Sequence, residues 1–305
     1  MLATLTSYKF IILYTFILSA LYIHYRGQAR YPLFRQLLDH STFMAPINVF
    51  IYAFSKVPHQ PYLDQSQFPE LKVLQDNWQV IREEVLALTS ESQIKASSQY
   101  DDIGFNSFFR TGWKRFYLKW YGDSLPSAKQ LCPKTVALLE SIPSIKGAMF
   151  ALLGKQGRLV THRDPYAGSV RYHLGIVTPN SEDCYISVDG QKYHWRDGEA
   201  VMFDETYLHY AENKTDMDRV ILFCDVERPM NNKFATMINH FFCNTLMAAS
   251  QSQNLPGDNV GFLNKIFKYV YQIRLVGKRL KTYNKHLYYT VKYGLFGCLF
   301  FLVFV

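Results

Sequence analysis

Residues 159–179 read LVTHRDPYAGSVRYHLGIVTP and residues 198–226 read GEAVMFDETYLHYAENKTDMDRVILFCDV. Short runs of apolar and β-branched residues, broken at close intervals by Gly, Asp, Asn and Pro, predict short strands with little helix. The strands expected are 146–153, 169–178, 184–188, 191–195, 200–203, 207–212 and 219–226. Asp189-Gly190 separates two of them and is a two-residue hairpin signal. Strands so punctuated indicate an α+β protein whose core is a double-stranded β-helix (jelly roll, cupin-like), with flanking helices.

Three side chains in these stretches carry chemistry. On extended backbone residues i and i+2 point the same way, so His162 and Asp164 share a face. His209, on a later strand, can complete a three-point set. Two imidazoles and one carboxylate around a metal, with other positions open, is the arrangement of non-haem Fe(II) oxygenases. Arg219 follows ten residues after His209 at the head of an apolar strand, where a fixed cation for a dicarboxylate co-substrate would stand. His-x-Asp alone is a chance pattern in a chain with nine histidines; its weight comes from the combination. His194, beside Trp195, reads as structural. Asp204 and Glu205 read either as carboxylates orienting an imidazole or as turn residues.

The 305 residues suffice for one large or two modest domains. A formal charge of +8 points to an anionic partner: a phospholipid surface, a phosphorylated lipid or nucleic acid. Cys132, Cys184, Cys224, Cys243 and Cys298 are scattered without a CxxC spacing, and read as reduced thiols.

Residues 10–23 are apolar, with Lys9 before and His24, Arg26, Arg30 and Arg35 after. Residues 2–25 reach a spanning length if Lys9 snorkels. The trailing cations predict an uncleaved anchor with the rest of the chain in the cytoplasm. Residues 41–57, interrupted by Pro46, read as a buried loop or an interfacial segment, and 62–68 as a polar linker. An amphipathic helix is expected from Pro69 through Leu88. Residues 105–121 interleave aromatics with Arg110, Lys114, Arg115 and Lys119, a pattern that fits base stacking or phosphate gripping, or two strands with basic faces in solvent. A short helix is expected over 133–142 and another over 233–249. Residues 262–290 form a basic amphipathic pattern suited to an anionic membrane surface, and 287–305 an apolar membrane segment interrupted only by Lys292. The expected division is 1–30 anchor, 31–145 helical and mixed region, 146–230 β-core, 231–286 basic helices and 287–305 C-terminal membrane segment.

The motifs H-R-D at 162–164, R-Y-H-L-G-I-V-T-P at 171–179, W-R-D-G-E at 195–199, F-D-E-T-Y-L-H at 203–209 and R-V-I-L-F-C-D-V at 219–226 resemble the aspartyl/asparaginyl β-hydroxylase family of Fe(II)- and 2-oxoglutarate-dependent dioxygenases. H-S-T-F-M-A-P-I-N at 40–48, S-K-V-P at 55–58, F-P-E-L at 68–71, L-Q-D-N-W at 74–78 and the apolar ends resemble its LpxO-type branch, the lipid A hydroxylases of Gram-negative inner membranes. The resemblance implies that His162, Asp164 and His209 ligate iron. It also implies that Arg171 and His173 hold one carboxylate of 2-oxoglutarate and Arg219 the other, with O2 as second co-substrate. It implies, further, hydroxylation of carbon 2 of a secondary acyl chain of lipid A or a precursor, at the cytoplasmic face of a bacterial inner membrane. The partners so implied are that lipid and an anionic phospholipid surface, not nucleic acid. Arg110, Lys114, Arg115, Lys155, Arg158 and Arg163 are candidates for gripping lipid phosphates. Some animal members lack an acidic residue two after the first His; Asp164 restores the full triad here. Those members carry a co-substrate-binding Ser on the first core strand, where this chain has Ala151. Hydroxylation of Asp or Asn in a polypeptide is the alternative reading within the family. A non-catalytic barrel binding through the basic aromatic run is the alternative outside it.

Overall fold

A computed structural model of the chain describes residues 7–37, 39–96, 102–105 and 107–304. The first six residues, part of the expected anchor, and Val305, the end of the expected C-terminal segment, lie outside the described residues. The first helix, α1 (Tyr8–Tyr25), is followed by α2 (Leu33–Leu37), α3 (His40–Phe43), α4 (Ala45–Ala53) and β1 (Tyr62–Leu63). Next come α5 (Lys72–Asp76), α6 (Trp78–Ser90), β2 (Trp113–Trp120), α7 (Pro126–Leu131) and α8 (Pro133–Glu140). The core strands are β3 (Ile145–Leu153), β4 (Arg158–His162), β5 (Ser169–Val177), β6 (Cys184–Val188), β7 (Gln191–His194), β8 (Ala200–Phe203), β9 (His209–Asn213) and β10 (Arg219–Glu227). The chain closes with α9 (Lys233–Phe242), α10 (Phe262–Tyr283) and α11 (Lys285–Phe304).

Two antiparallel sheets enclose the core. One has six strands in the order β1-β8-β5-β10-β3-β2, the other four in the order β4-β9-β6-β7. From β3 to β6 and again from β7 to β10 successive strands alternate between the sheets, which is the jelly-roll winding expected from the punctuated strand pattern. Residues of β3, β5, β6, β8 and β10 are buried almost throughout, so their apolar runs are continuous rather than alternating. Asp189 and Gly190 both have positive φ, 51° and 86°, the two-residue turn that matches strand twist in a hairpin.

Gly175 on β5 explains how the 195–199 turn closes on the sheet. Its amide donates to the Glu199 carbonyl and its own carbonyl accepts from Gly198, both at 2.9 Å. A Cβ at 175 would sit 2.1 Å from the Arg196 carbonyl oxygen. Gly175→Ala is therefore expected to destabilise the protein by roughly 1–3 kcal/mol, an overpacking cost, read as a lower Tm.

Several local expectations are corrected. The helix expected from Pro69 breaks at Asn77, whose side-chain amide donates to the Val73 carbonyl at 2.8 Å and caps α5. Leu71, Leu74, Ile81, Val85 and Leu88 are buried nonetheless. Residues 105–121 form a short 3-10 turn (Phe108–Thr111) and one strand, not two. The strand's Arg115 is buried against Asp102 at 3.0 Å rather than facing solvent. Within 41–57, α4 is a packed helix with Ile51 and Tyr52 buried, not a buried loop. The expected linker contributes β1, which pairs with β8 and extends the larger sheet. Residues 262–290 are not one helix: Asn284 leaves the helical region and its side chain caps α11 through the Leu287 amide, so α10 and α11 are two helices that meet at this residue.

Candidate metal centre and co-substrate pocket

His162 ends β4, His209 opens β9, and the two stand opposite each other in the antiparallel register. Asp164 lies just past β4, its amide donating to the Glu205 carbonyl at 2.9 Å. The sheet register thus brings together the three residues that the spacing singled out. One donor atom from each lies within 4.8 Å of the others. His162 Nε2 is 3.6 Å and His209 Nε2 4.0 Å from Asp164 Oδ1. Among the described residues no other group of His, Cys, Asp and Glu is arranged to hold a metal, and His173 is not part of this one.

The backbone sets the imidazole tautomers. His162 Nδ1 lies 2.8 Å from the Val160 carbonyl and His209 Nδ1 3.0 Å from the Tyr207 carbonyl. A carbonyl only accepts, so each Nδ1 carries a proton and Nε2 is the ring nitrogen left to face Asp164. Burial, with His162 adding to it, pulls the His209 pKa down to about 3 and keeps the ring neutral. Burial opposes ionisation of Asp164, but Arg171, His209 and His162 outweigh it and hold the carboxyl below its ordinary value. The donor set is therefore two imidazoles and one carboxylate, which suits a ferrous ion.

A cavity opens beside these donors. Besides the triad its walls include Arg171, His173 and Arg219, among aromatic and aliphatic groups such as Phe105, Phe108, Phe203, Ile221 and Phe223. Arg219 is 1 % exposed, its guanidinium 4.3 Å from the Trp195 ring centroid, and its Nε has no hydrogen-bond partner. Burial pulls its pKa down to about 10, and no described carboxylate forms an ion pair with it. A buried cation without a counter-charge is costly, and a bound carboxylate would relieve that cost. Both nitrogens of His173 are likewise buried without partners, and burial, then Arg171 and Arg219, push its pKa well below 6.5. Ala151 lines the same wall. No hydroxyl among the lining residues stands in for the Ser of relatives, while the Trp195 indole N–H is a buried donor without a partner.

Arg171 differs from the expectation. Its guanidinium donates to Asp164 at 2.7 Å and Asp225 at 2.9 Å and rests on the Phe223 ring at 3.7 Å. It is engaged in holding the candidate ligand carboxylate rather than standing free for a co-substrate. Asp204 and Glu205 do not orient an imidazole either. Asp204 is buried between Arg26 at 2.5 Å and Arg228 at 2.9 Å, while Glu205 accepts from Ser169 at 2.9 Å. Of the suggested phosphate-gripping cations, Arg115 is committed to Asp102, and Arg163 is buried with its guanidinium on the Ile23 carbonyl at 3.1 Å. His59, His194 and His240 have structural partners in Tyr52, Glu182 and Glu227.

Two supports escaped the sequence reading. Arg26, directly after α1, lies between the rings of Tyr52 and Tyr207, each 4.0 Å away, and donates to Thr206 as well as Asp204. It braces the loop leading into His209. Asn48 of α4 clamps the turn after Asp164, donating to Pro165 O at 2.8 Å and accepting from the Ala167 amide at 2.9 Å. Asp204→Ala would leave two buried guanidinium groups uncompensated; the expected loss is about 3–5 kcal/mol of stability, measured by denaturant unfolding.

A model of the family described as Aspartyl/Asparaginyl beta-hydroxylase matches residues 75–229. An ornithine lipid ester-linked acyl 2-hydroxylase of Rhizobium tropici is 33% identical over 181 residues, covering 59% of this chain and 64% of that protein. Human aspartyl/asparaginyl beta-hydroxylase is 27% identical over 187 residues, covering 59% of this chain and 24% of its own length. The chain thus spans less than two thirds of these relatives. Among solved structures, a Pseudomonas putida prolyl-4-hydroxylase aligns with 50% of this chain and 87% of its own, at 13% identity and a TM-score of 0.37. With a match running unbroken through the β-core and both candidate metal strands, the chain belongs to the aspartyl/asparaginyl beta-hydroxylase family.

Proposed function

We propose that the protein is an Fe(II)- and 2-oxoglutarate-dependent hydroxylase of a membrane lipid. Its substrate on this reading is lipid A or a precursor, modified at carbon 2 of a secondary acyl chain at the cytoplasmic face of a bacterial inner membrane. Buried, unpaired Arg219 in the wall of the cavity that holds the triad carries the reading, because it gives a keto acid's carboxylate a counter-charge beside the metal. Arg is suited to this task, as a planar guanidinium meets a carboxylate through two hydrogen bonds and keeps its charge.

Iron, 2-oxoglutarate and O2 together would supply the oxidising power to replace a C–H hydrogen by hydroxyl. His162 and His209 would hold the ion through Nε2 and Asp164 through its carboxylate. Arg171 keeps that carboxylate ionised and aimed. Neutral His173 would join Arg219 in seating the co-substrate. The aromatic walls keep water away and offer an acyl chain an apolar lining.

Support for a lipid substrate comes from the Rhizobium relative, named as a 2-hydroxylase of an ester-linked acyl chain of ornithine lipid. Helix α1, with 18 residues and mean hydropathy 1.3, is the one described helix long and apolar enough to cross a membrane by that measure. The apolar α11 would enter the same bilayer. Arg30 and Arg35 just after α1 favour the cytoplasmic side; Arg26, counted with them in the sequence, is taken up by Asp204. A protein-hydroxylating activity on Asp or Asn is the second reading, favoured by the family's name. Purified protein in detergent with Fe(II), 2-oxoglutarate and lipid A is expected to release succinate and add one oxygen to an acyl chain by mass spectrometry. Turnover that needs a polypeptide instead, with the lipid unchanged, would favour the second reading.

A further inference from the structure

Eight of the chain's 33 cations follow Asp258, and no Asp or Glu does. The other 25 cations balance the 25 acids, so the whole formal charge of +8 resides in α10 and α11. Helix α10 arranges that charge around an apolar stripe. At about 100° per residue, Phe262, Ile266, Tyr269, Val270, Ile273 and Val276 fall on one side, and all are exposed, Ile273 to 71%. Exposed Lys265 and Arg279 lie on one flank of the stripe and Arg274 and Lys281 on the other. Asn264 and Tyr271, seven residues apart and both buried, fall on the opposite side, where the helix meets the catalytic domain.

That buried side reaches the candidate metal centre in two steps. Asn264 Oδ1 accepts from the Ile103 amide at 2.7 Å, and its Nδ2 donates to the Ser250 and Gln251 carbonyls. Tyr271 accepts from Arg110 at 3.0 Å. Between Ile103 and Arg110 stand Phe105 and Phe108, both in the cavity wall, with the Phe108 ring centroid 4.6 Å from that of His162.

We propose that α10 lies in the headgroup layer of an anionic bilayer with its Phe262–Val276 stripe inward, and that Asn264 and Tyr271 carry this placement to the segment bearing Phe105 and Phe108. A stripe flanked by cations on both sides matches lipid: acyl chains meet the stripe, and anionic headgroups meet the flanks. The proposal rests on the membrane-bound reading above and names the surface that would bring the pocket wall to its lipid.

The test uses the full chain in vesicles, with Cys298→Ser removing the exposed thiol. An environment-sensitive fluorophore is placed through Ile273→Cys on the stripe or Lys278→Cys, about 140° round the helix. Phosphatidylcholine vesicles are compared with vesicles that also contain phosphatidylglycerol, each with a lipid-borne quencher. Several-fold quenching at 273, dependent on phosphatidylglycerol and absent at 278, is expected. Exchange of the Ile103 amide is expected to slow in the anionic vesicles, and Asn264→Ala to remove that slowing without changing quenching at 273. Equal quenching at both positions, no effect of phosphatidylglycerol, or Ile103 exchange indifferent to the vesicle would overturn the proposal. None of these readouts needs iron or 2-oxoglutarate, so failure here leaves the hydroxylase reading standing, and absent succinate release would leave this one standing.

Discussion

His209→Ala is expected to lower 2-oxoglutarate turnover by more than about 100-fold while leaving the protein folded. Losing only a hydrogen-bond partner of a metal ligand typically costs 10–100-fold in affinity or activity, and removing the donor itself costs more. The fold should persist because the ring is held by one bond to the Tyr207 carbonyl and by packing against Phe203 at a centroid distance of 5.9 Å. His162→Ala should behave alike. Succinate release, with circular dichroism and Tm as controls, measures both. Near-normal turnover in either variant would remove that imidazole from the metal site.

Arg219→Met is expected to separate binding from stability. Truncating one partner of a buried charge pair costs about 2–5 kcal/mol, so co-substrate affinity should fall by roughly 30-fold to several thousand-fold. Arg219→Lys keeps the charge but loses the planar fork and should fall between. The protein without co-substrate should be no less stable than wild type, since methionine fills similar space without an unpaired buried cation. A structural arginine would give the reverse: lower stability with co-substrate binding untouched. Isothermal titration with 2-oxoglutarate and Tm in its absence give both numbers.

The strands were legible because turn chemistry and continuous apolar runs are local properties, as with Asp189-Gly190. His162, Asp164, His209 and Arg219 were legible as residue types at spacings that one register brings together. What holds them was not. The orienting groups of both imidazoles are main-chain carbonyls two residues back, which have no residue signature. Asp204 meets Arg26 across 178 residues, and neither neighbourhood hints at the other. Arg171 points at the cavity by strand alternation, but only the folded contacts reveal that Asp164 and Asp225 take up its guanidinium. The break at Asn77 was hidden because the apolar spacing runs through it; the helix ends while the buried face continues.

Anaerobic titration of the purified chain with Fe(II), or with Co(II) as a spectroscopic stand-in, tests the metal site most directly. One ion per wild-type chain is expected, with affinity lost in each of His162→Ala, Asp164→Ala and His209→Ala. An ion bound as tightly by the triple variant as by wild type would contradict the assignment.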